Sequence, residues 1–243
     1  MKTISTLTLA LGALLLVSTS CGKDRWPNCV KAKGDVVTEI REEGDFDVIH
    51  LEGSGDVYIY HTDDKGTPRI EVETHENIMD RIETAVKNGE LTLSSKCIRN
   101  VDKLNFYVYV DDLSEVTISG SGDVKTMEAR ESTNLHLSIS GSGDMNYETT
   151  SEDVDVSISG SGDVKLTGST SYLEIGINGS GDVSGFDFPT EDCDIDISGS
   201  GDCSVDVSGN LDIRISGSGD VVYEGTPTGV NVSTSGSGEV SKR

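Results

Sequence analysis

The chain is short of the residues that bind nucleic acid, metals or substrates by familiar patterns. Lys and Arg together number 19 against 43 Asp and Glu, a formal charge of −24. Loss of Lys2 with the leader makes it −25, and so acidic a surface repels a phosphate backbone, excluding nucleic-acid partners. Aromatic residues make up 5% and proline occurs four times, whereas glycine occurs 28 times. Turns without a proline load point to an ordered all-β chain rather than a disordered linker. The cysteines, Cys21, Cys29, Cys97, Cys193 and Cys203, form no C-x-x-C pair and no Cys/His zinc spacing. His50, His61, His75 and His136 have no metal-binding spacing either, and no nucleophile elbow or phosphate loop occurs, so no cofactor is expected.

Long apolar runs are also missing. The one near the start, about Leu7 to Val17, is too short to span a bilayer with ease. It follows Lys2 and precedes the small residues "STS" and Cys21, the layout of an export signal over residues 1–20. A cysteine directly after small residues resembles the lipidation site of bacterial lipoproteins, although Ser18 stands where such signals usually carry Leu. The alternative is an ordinary secretory signal cut after "STS". Lipidation of Cys21 would supply two or three acyl chains, enough for stable anchoring to the outer membrane. Residues 21–35, with "GKDRWPN", read as a tether.

What the sequence has in abundance is one tetrapeptide. GSGD begins at Gly53, Gly120, Gly141, Gly160, Gly179, Gly199 and Gly217, and GSGE at Gly236. From Gly120 onward the intervals are 21, 19, 19, 20, 18 and 19 residues. Before each glycine the chain alternates apolar and polar, as in Leu135, Leu137, Ile139 or Leu173, Ile175, Ile177; after it come Val124, Met145, Val164, Val183, Cys203 and Val221. Strict alternation is a strand with one buried face. Cys193 and Cys203 fill apolar slots in this pattern, the role of small hydrophobes. A unit of this length cannot bury its own apolar row, but stacked units can, with equivalent strands in parallel about 4.8 Å apart. The fold class expected is therefore all-β, a right-handed parallel β-helix, or β-solenoid.

Residues 120–243 form the regular array, and 36–119 read as a degenerate N-terminal part. The 67 residues from Gly53 to Gly120 have room for three irregular coils. Asn88-Gly89 signals a hairpin interrupting one of them, and "ENIMDRI" at 76–82 suits a helical turn.

At each GSGD, glycine admits positive φ and aspartate bonds nearby backbone N–H groups. Stacking then creates a structural ladder of Asp56, Asp123, Asp144, Asp163, Asp182, Asp202, Asp220 and Glu239. One carboxylate per coil falls short of the six to eight oxygens calcium wants, so turn chemistry is favoured over metal binding.

The outward positions hold the candidate binding residues. With Val57, Ile59, Phe106 and Val108 inward, Tyr58, Tyr60, Tyr107 and Tyr109 point out, unless residues 76–95 cover them. Exposed aromatics suit a glycan or protein ligand. A β-helix polysaccharide lyase or hydrolase is the alternative class, but no distinct carboxylate pair stands out, and Lys125, Lys165, Arg130 and Arg214 are isolated along the chain.

"FDVIHLEGSGDVYIY" at 46–60, "IETAVKNGELTLS" and the "ISGSGDV" array together resemble the auto-transporter adhesin, head GIN domain family, over about residues 36–241. The resemblance implies a single-stranded right-handed β-helix in an exported or surface lipoprotein. It implies no known activity and brings no catalytic residues.

Overall fold

A computed structural model describes residues 29–62 and 67–243. The signal at 1–20, the lipidation site Cys21 and most of the expected tether lie outside the described residues.

Strands β1 (Val30–Lys31), β2 (Val36–Arg41), β3 (Val48–Leu51) and β4 (Asp56–Tyr60) open the described chain. There follow β5 (Arg69–His75), β6 (Ile82–Lys87), β7 (Glu90–Ser95), β8 (Ile98–Arg99) and β9 (Leu104–Tyr109). The array continues with β10 (Glu115–Ile118), β11 (Val124–Thr126), β12 (Arg130–Ile139), β13 (Met145–Ile158), β14 (Val164–Ile177) and β15 (Val183–Ile197). It ends with β16 (Cys203–Val207), β17 (Asn210–Ile215), β18 (Val221–Gly225), β19 (Gly229–Thr234) and β20 (Val240–Lys242).

The architecture is a β-solenoid. Its parallel register puts equivalent residues of successive coils in columns. Leu51, Ile118, Ile139, Ile158, Ile177, Ile197 and Ile215 form one, before the GSGD corner. Val57, Val124, Met145, Val164, Val183, Cys203 and Val221 form another, after it. Every member of both columns is buried. Each aliphatic so buried is worth roughly 1.5–3 kcal/mol, an upper figure because an unfolded chain already hides some of that surface.

The corners run on a different use of glycine from the one expected. Only the first, with Gly53 at φ 102° and Gly55 at φ 122°, uses positive φ. In later corners the neighbouring coil decides: a Cβ on Gly160 would sit 1.9 Å from the carbonyl oxygen of Gly141, and one on Gly179 1.9 Å from that of Gly160. Backbone packs directly on backbone there, and Ser161 N–H donates to the Gly141 oxygen at 2.9 Å.

In the middle coils the second corner turns the inward row polar. Ser132, Ser151, Thr170 and Thr190 stand in register. Their hydroxyls find partners inside: Ser132 and Ser151 lie 2.7 Å apart, and Thr190 donates to the Phe188 carbonyl at 3.0 Å. Beside them Arg130 is 2% exposed, and its Nη2 donates to the carbonyls of Val110 (2.7 Å) and Asp111.

The stretch between the first two corners departs from the expected three coils. The Gly53 corner stacks directly on the Gly120 corner, with Ser121 N–H donating to the Gly53 carbonyl at 2.7 Å. Residues 90–109 build a single further rung beneath it, β7 in parallel with β3 and β9 with β4. The remaining strands close that end in antiparallel fashion: β6 on β7 through the Asn88-Gly89 hairpin, β5 on β9, and β2 on β5. The sequence length suits three coils only by coincidence. An antiparallel strand ends the stacking, because its partner edge no longer repeats the coil. The expected helical turn is a 3-10 segment, Glu76–Arg81, burying Ile78 and Met79. Residues 29–35, expected within the tether, are pinned by the Cys29–Cys97 disulfide and the β1–β8 pair.

Candidate functional site

The aspartate ladder is a hydrogen-bond column between coils. Oδ1 of Asp144 accepts from the backbone N–H of Asp163 (2.9 Å), Asp163 from Asp182 (2.8 Å), Asp182 from Asp202 (2.7 Å), and Asp202 from Asp220 (2.8 Å). Asp56 and Asp123 serve the corners above them, and Asp220 accepts from Glu239 N–H at 2.8 Å. The donor comes from the next coil rather than from the same turn, as an Asx turn would have it. One backbone N–H thus sits against each aspartate of the ladder, and like charges tolerate their close stacking. Among the described residues no group of three or more His, Cys, Asp or Glu is arranged to hold a metal ion.

The four tyrosines gather at the N-terminal end of the outward face. β4 and β9 pair in register, setting Tyr58 opposite Tyr107 and Tyr60 opposite Tyr109. Tyr58 and Tyr107 stack with centroids 5.5 Å apart, and Tyr60 and Tyr109 with centroids 5.2 Å apart. Such pairs add roughly 0.5–1.5 kcal/mol beyond their buried area. All four remain partly exposed. Their neighbours are side chains of β5, not residues 76–95: the Arg69 guanidinium lies 3.8 Å from the Tyr109 ring centroid, and the Tyr107 hydroxyl donates to Glu73 at 2.7 Å. That bond, with Lys103 3.1 Å away, holds Glu73 below the usual carboxylate range, while burial and the same carboxylate raise Tyr107. One rim of the patch is therefore fixed and polar, a common setting for aromatic recognition.

From Tyr58 the same outward row continues down the coils through Lys125, Asn146, Lys165 and Ser184. These residues, with Asp56, Asp123, Asp144 and Asp163 along one wall, line a shallow groove of about 390 Å³. The lysines are 40 positions apart in sequence and look isolated there; one position per coil brings them into line. Aligning the residue two after each ladder aspartate would have found the row.

The opposite, turn-preceding face is acidic. Glu115, His136, Asp155, Glu174, Asp194 and Asp212 follow one another in register. His136 Nδ1 lies 3.1 Å from Asp155, and the Tyr172 hydroxyl donates to Asp194 at 2.6 Å, which raises the phenol's pKa.

Elsewhere the titrating groups serve the fold. Glu73, Asp102 and Asp111 are all held low, Asp102 by His75 and Asp111 by Thr62, the reverse of what a general acid needs. Cys193 and Cys203 are free thiols pushed up by burial, without thiolate character. Arg130, also scattered in sequence, points into the core rather than to a ligand surface.

No helix among the described residues is long and apolar enough to cross a membrane. No protein of curated function matches the sequence. Among solved structures, a "putative adhesin" from Bacteroides fragilis is 24% identical, with TM-score 0.81 over 88% of this chain and 100% of its own. A "putative lipid binding protein" from Parabacteroides distasonis is 22% identical, with TM-score 0.73 over 88% and 99%. A "putative adhesin" from Parabacteroides merdae is 21% identical, with TM-score 0.69 over 88% and 98%. At these identities the likeness is one of fold. The sequence itself matches the family model described as "Putative auto-transporter adhesin, head GIN domain" over residues 45–227, most of the solenoid and its N-terminal cover. By that match the chain belongs to the head GIN domain family.

Proposed function

We propose that this chain is a non-enzymatic binding scaffold, an adhesin exported and held at the outer membrane by lipid on Cys21, with its ligand surface on the turn-following face. Its ligand is a glycan or a protein. The observation that carries the reading is the partly exposed stack of Tyr58, Tyr60, Tyr107 and Tyr109 beside a groove, on a domain whose interior is filled by side chains. A rigid solenoid keeps such a surface flat and pre-formed, so little ordering cost accompanies binding. The groups with shifted pKa values are engaged in hydrogen bonds or burial rather than gathered at a reacting centre, which supports binding over catalysis.

The test has two arms. Full-length protein in detergent is applied to arrays of glycans and of extracellular-matrix proteins, beside a Tyr60→Ala, Tyr109→Ala double variant. Binding that the double variant loses supports the reading; equal binding by both, or none by the native protein, overturns it. For the anchor, native protein expressed in a Gram-negative host partitions into detergent, and Cys21→Ala shifts to the aqueous phase. Equal partitioning would remove the lipid from the picture.

A further inference from the structure

The groove beside the tyrosines repeats along the solenoid axis, and its period limits what fits. Successive coils are about 4.8 Å apart. Tyr58, Lys125, Asn146 and Lys165 each occupy one rung, and Asp56, Asp123, Asp144 and Asp163 stand two residues away on the same rungs. Lys125, Asn146 and Lys165 are exposed, and among the described residues neither lysine enters an ion pair or hydrogen bond. Each ladder aspartate commits Oδ1 to the next coil's N–H and keeps Oδ2. The groove thus offers free acceptors and free donors in parallel rows, with Tyr58, backed by Tyr107, at one end.

We propose that this groove takes a neutral, extended β-1,4-linked glycan laid along the solenoid axis, one sugar to a coil; the inference rests on the binding role proposed above and names its ligand class. A flat chain of β-1,4-linked pyranoses advances per sugar by nearly the rise of one coil. It turns each ring over relative to the last, so its chemistry recurs every second sugar. The two lysines are set apart by that same two-coil distance, Lys125 and Lys165 about 9.6 Å apart with Asn146 between them. Sugar hydroxyls donate to the aspartate oxygens and accept from the ammonium and amide groups. Tyr58, stacked on Tyr107, closes that end of the groove as an apolar wall beside the terminal sugar.

Charge and topology exclude the other extended polymers. Four carboxylates against two lysines, on a chain of charge −24, repel a polyanion. An extended peptide gains its affinity by adding to a sheet edge. These strands are interior: β11 already pairs with β4 and β13, and β13 with β11, β12 and β14. A peptide would find no backbone partner there, whereas a glycan needs none.

The experiment is a length series. Neutral β-1,4-linked glucose and N-acetylglucosamine oligomers of two to six sugars are titrated by calorimetry into full-length protein in detergent, beside an α-1,4-linked glucose series and a β-1,4-linked uronate series. The expected result is affinity that rises up to about four sugars, the rungs from Tyr58 to Lys165, and then flattens. Tyr58→Ala raises Kd about tenfold, and Asn146→Ala and Lys165→Ala raise it severalfold without lowering the melting temperature. Glu174→Gln, on the opposite face, changes nothing. Because Tyr58→Ala also removes a stacking partner, Tyr58→Phe is included and should retain binding. No binding by any neutral β-linked oligomer, affinity independent of length, or equal binding of the α-linked or uronate series each overturns the proposal. If the oligomers fail but the array binding that depends on Tyr60 and Tyr109 persists, the binding role stands and only this ligand class falls.

Discussion

The two ends of the solenoid treat the same apolar pattern differently. At the N-terminal end the first rung is covered by antiparallel β5, β2 and β6, and Ile70, Val72, Leu91 and Leu93 have no exposed surface. At the C-terminal end β19 is the last strand of its face, and Val230 and Val232 are 39% and 49% exposed. Directly beneath them Leu211 and Ile213 are 0% and 1% exposed. The residues at the two levels obey one alternation. Burial in this molecule is therefore conferred by the neighbouring coil and not by the coil's own sequence, as expected for a quasi-one-dimensional fold.

The sharpest way to break that comparison is to place the same charge at both levels. Ile175→Asp, in the middle of the array, puts an unpaired carboxylate among Val156 and Ile195 and should cost on the order of 4 kcal/mol or more, unfolding much of the chain. Val232→Asp should cost about 1 kcal/mol. Thermal melts of the two variants decide it; similar losses would mean that the last coil is covered.

Glycine gives the next largest effect. Gly160→Ala forces a methyl into the Gly141 carbonyl and should cost up to about 3 kcal/mol, as overpacking does. Gly176→Ala, on an open strand position whose nearest atoms are 4.0 Å away, should be neutral or slightly stabilising. Denaturant midpoints that fail to separate the pair would refute close stacking as the reason for the glycines.

The covered end can be tested alone. The Cys29–Cys97 bridge spans 68 residues, and its loss in Cys29→Ser should cost about 2–4 kcal/mol. Hydrogen exchange should accelerate in β1, β2 and β8 and stay unchanged in β14 and β15. Uniform acceleration would show that cover and array unfold as one unit.

Smallest is the ladder. Asp163→Asn keeps an oxygen for the Asp182 N–H and removes one of the stacked charges, so stability should move by about 1 kcal/mol or less. Chelator should leave the native melting temperature unchanged. A calcium-dependent rise that the variant loses would convert the ladder into a metal site.

The columns were legible in the sequence because alternation states inward and outward directly: Leu173, Ile175 and Ile177 need no neighbour to be read. The hairpin was legible for the same local reason, since Asn88 at φ 55° and Gly89 at φ 85° meet a turn requirement. What escaped depends on residues far apart in the chain. The reason for Gly160 lies in Gly141, the donor to Asp163 lies in Asp182, and the alignment of Lys125 with Lys165 exists only after two coils have closed. The cover escaped because strands that end a repeat carry the same alternation as those that continue it; β5, with Ile70 and Val72 inward, differs from an array strand only in its direction.

If the chain is anchored through Cys21 as proposed, the Cys29–Cys97 bridge has a mechanical consequence. Tension on the upstream chain reaches the fold at Cys29 and passes at once, through the sulfurs, to Cys97. Strands β1 to β7 lie inside the closed loop between them and cannot be drawn out by the pull. The load falls instead on β8 and on β9, which is hydrogen-bonded along both edges, to β4 and to β5. The shackle thus moves the point of attack past β1 to β8 and then to β9, one of the best-held strands of the covered end, with β10 to β20 lying beyond it in the chain.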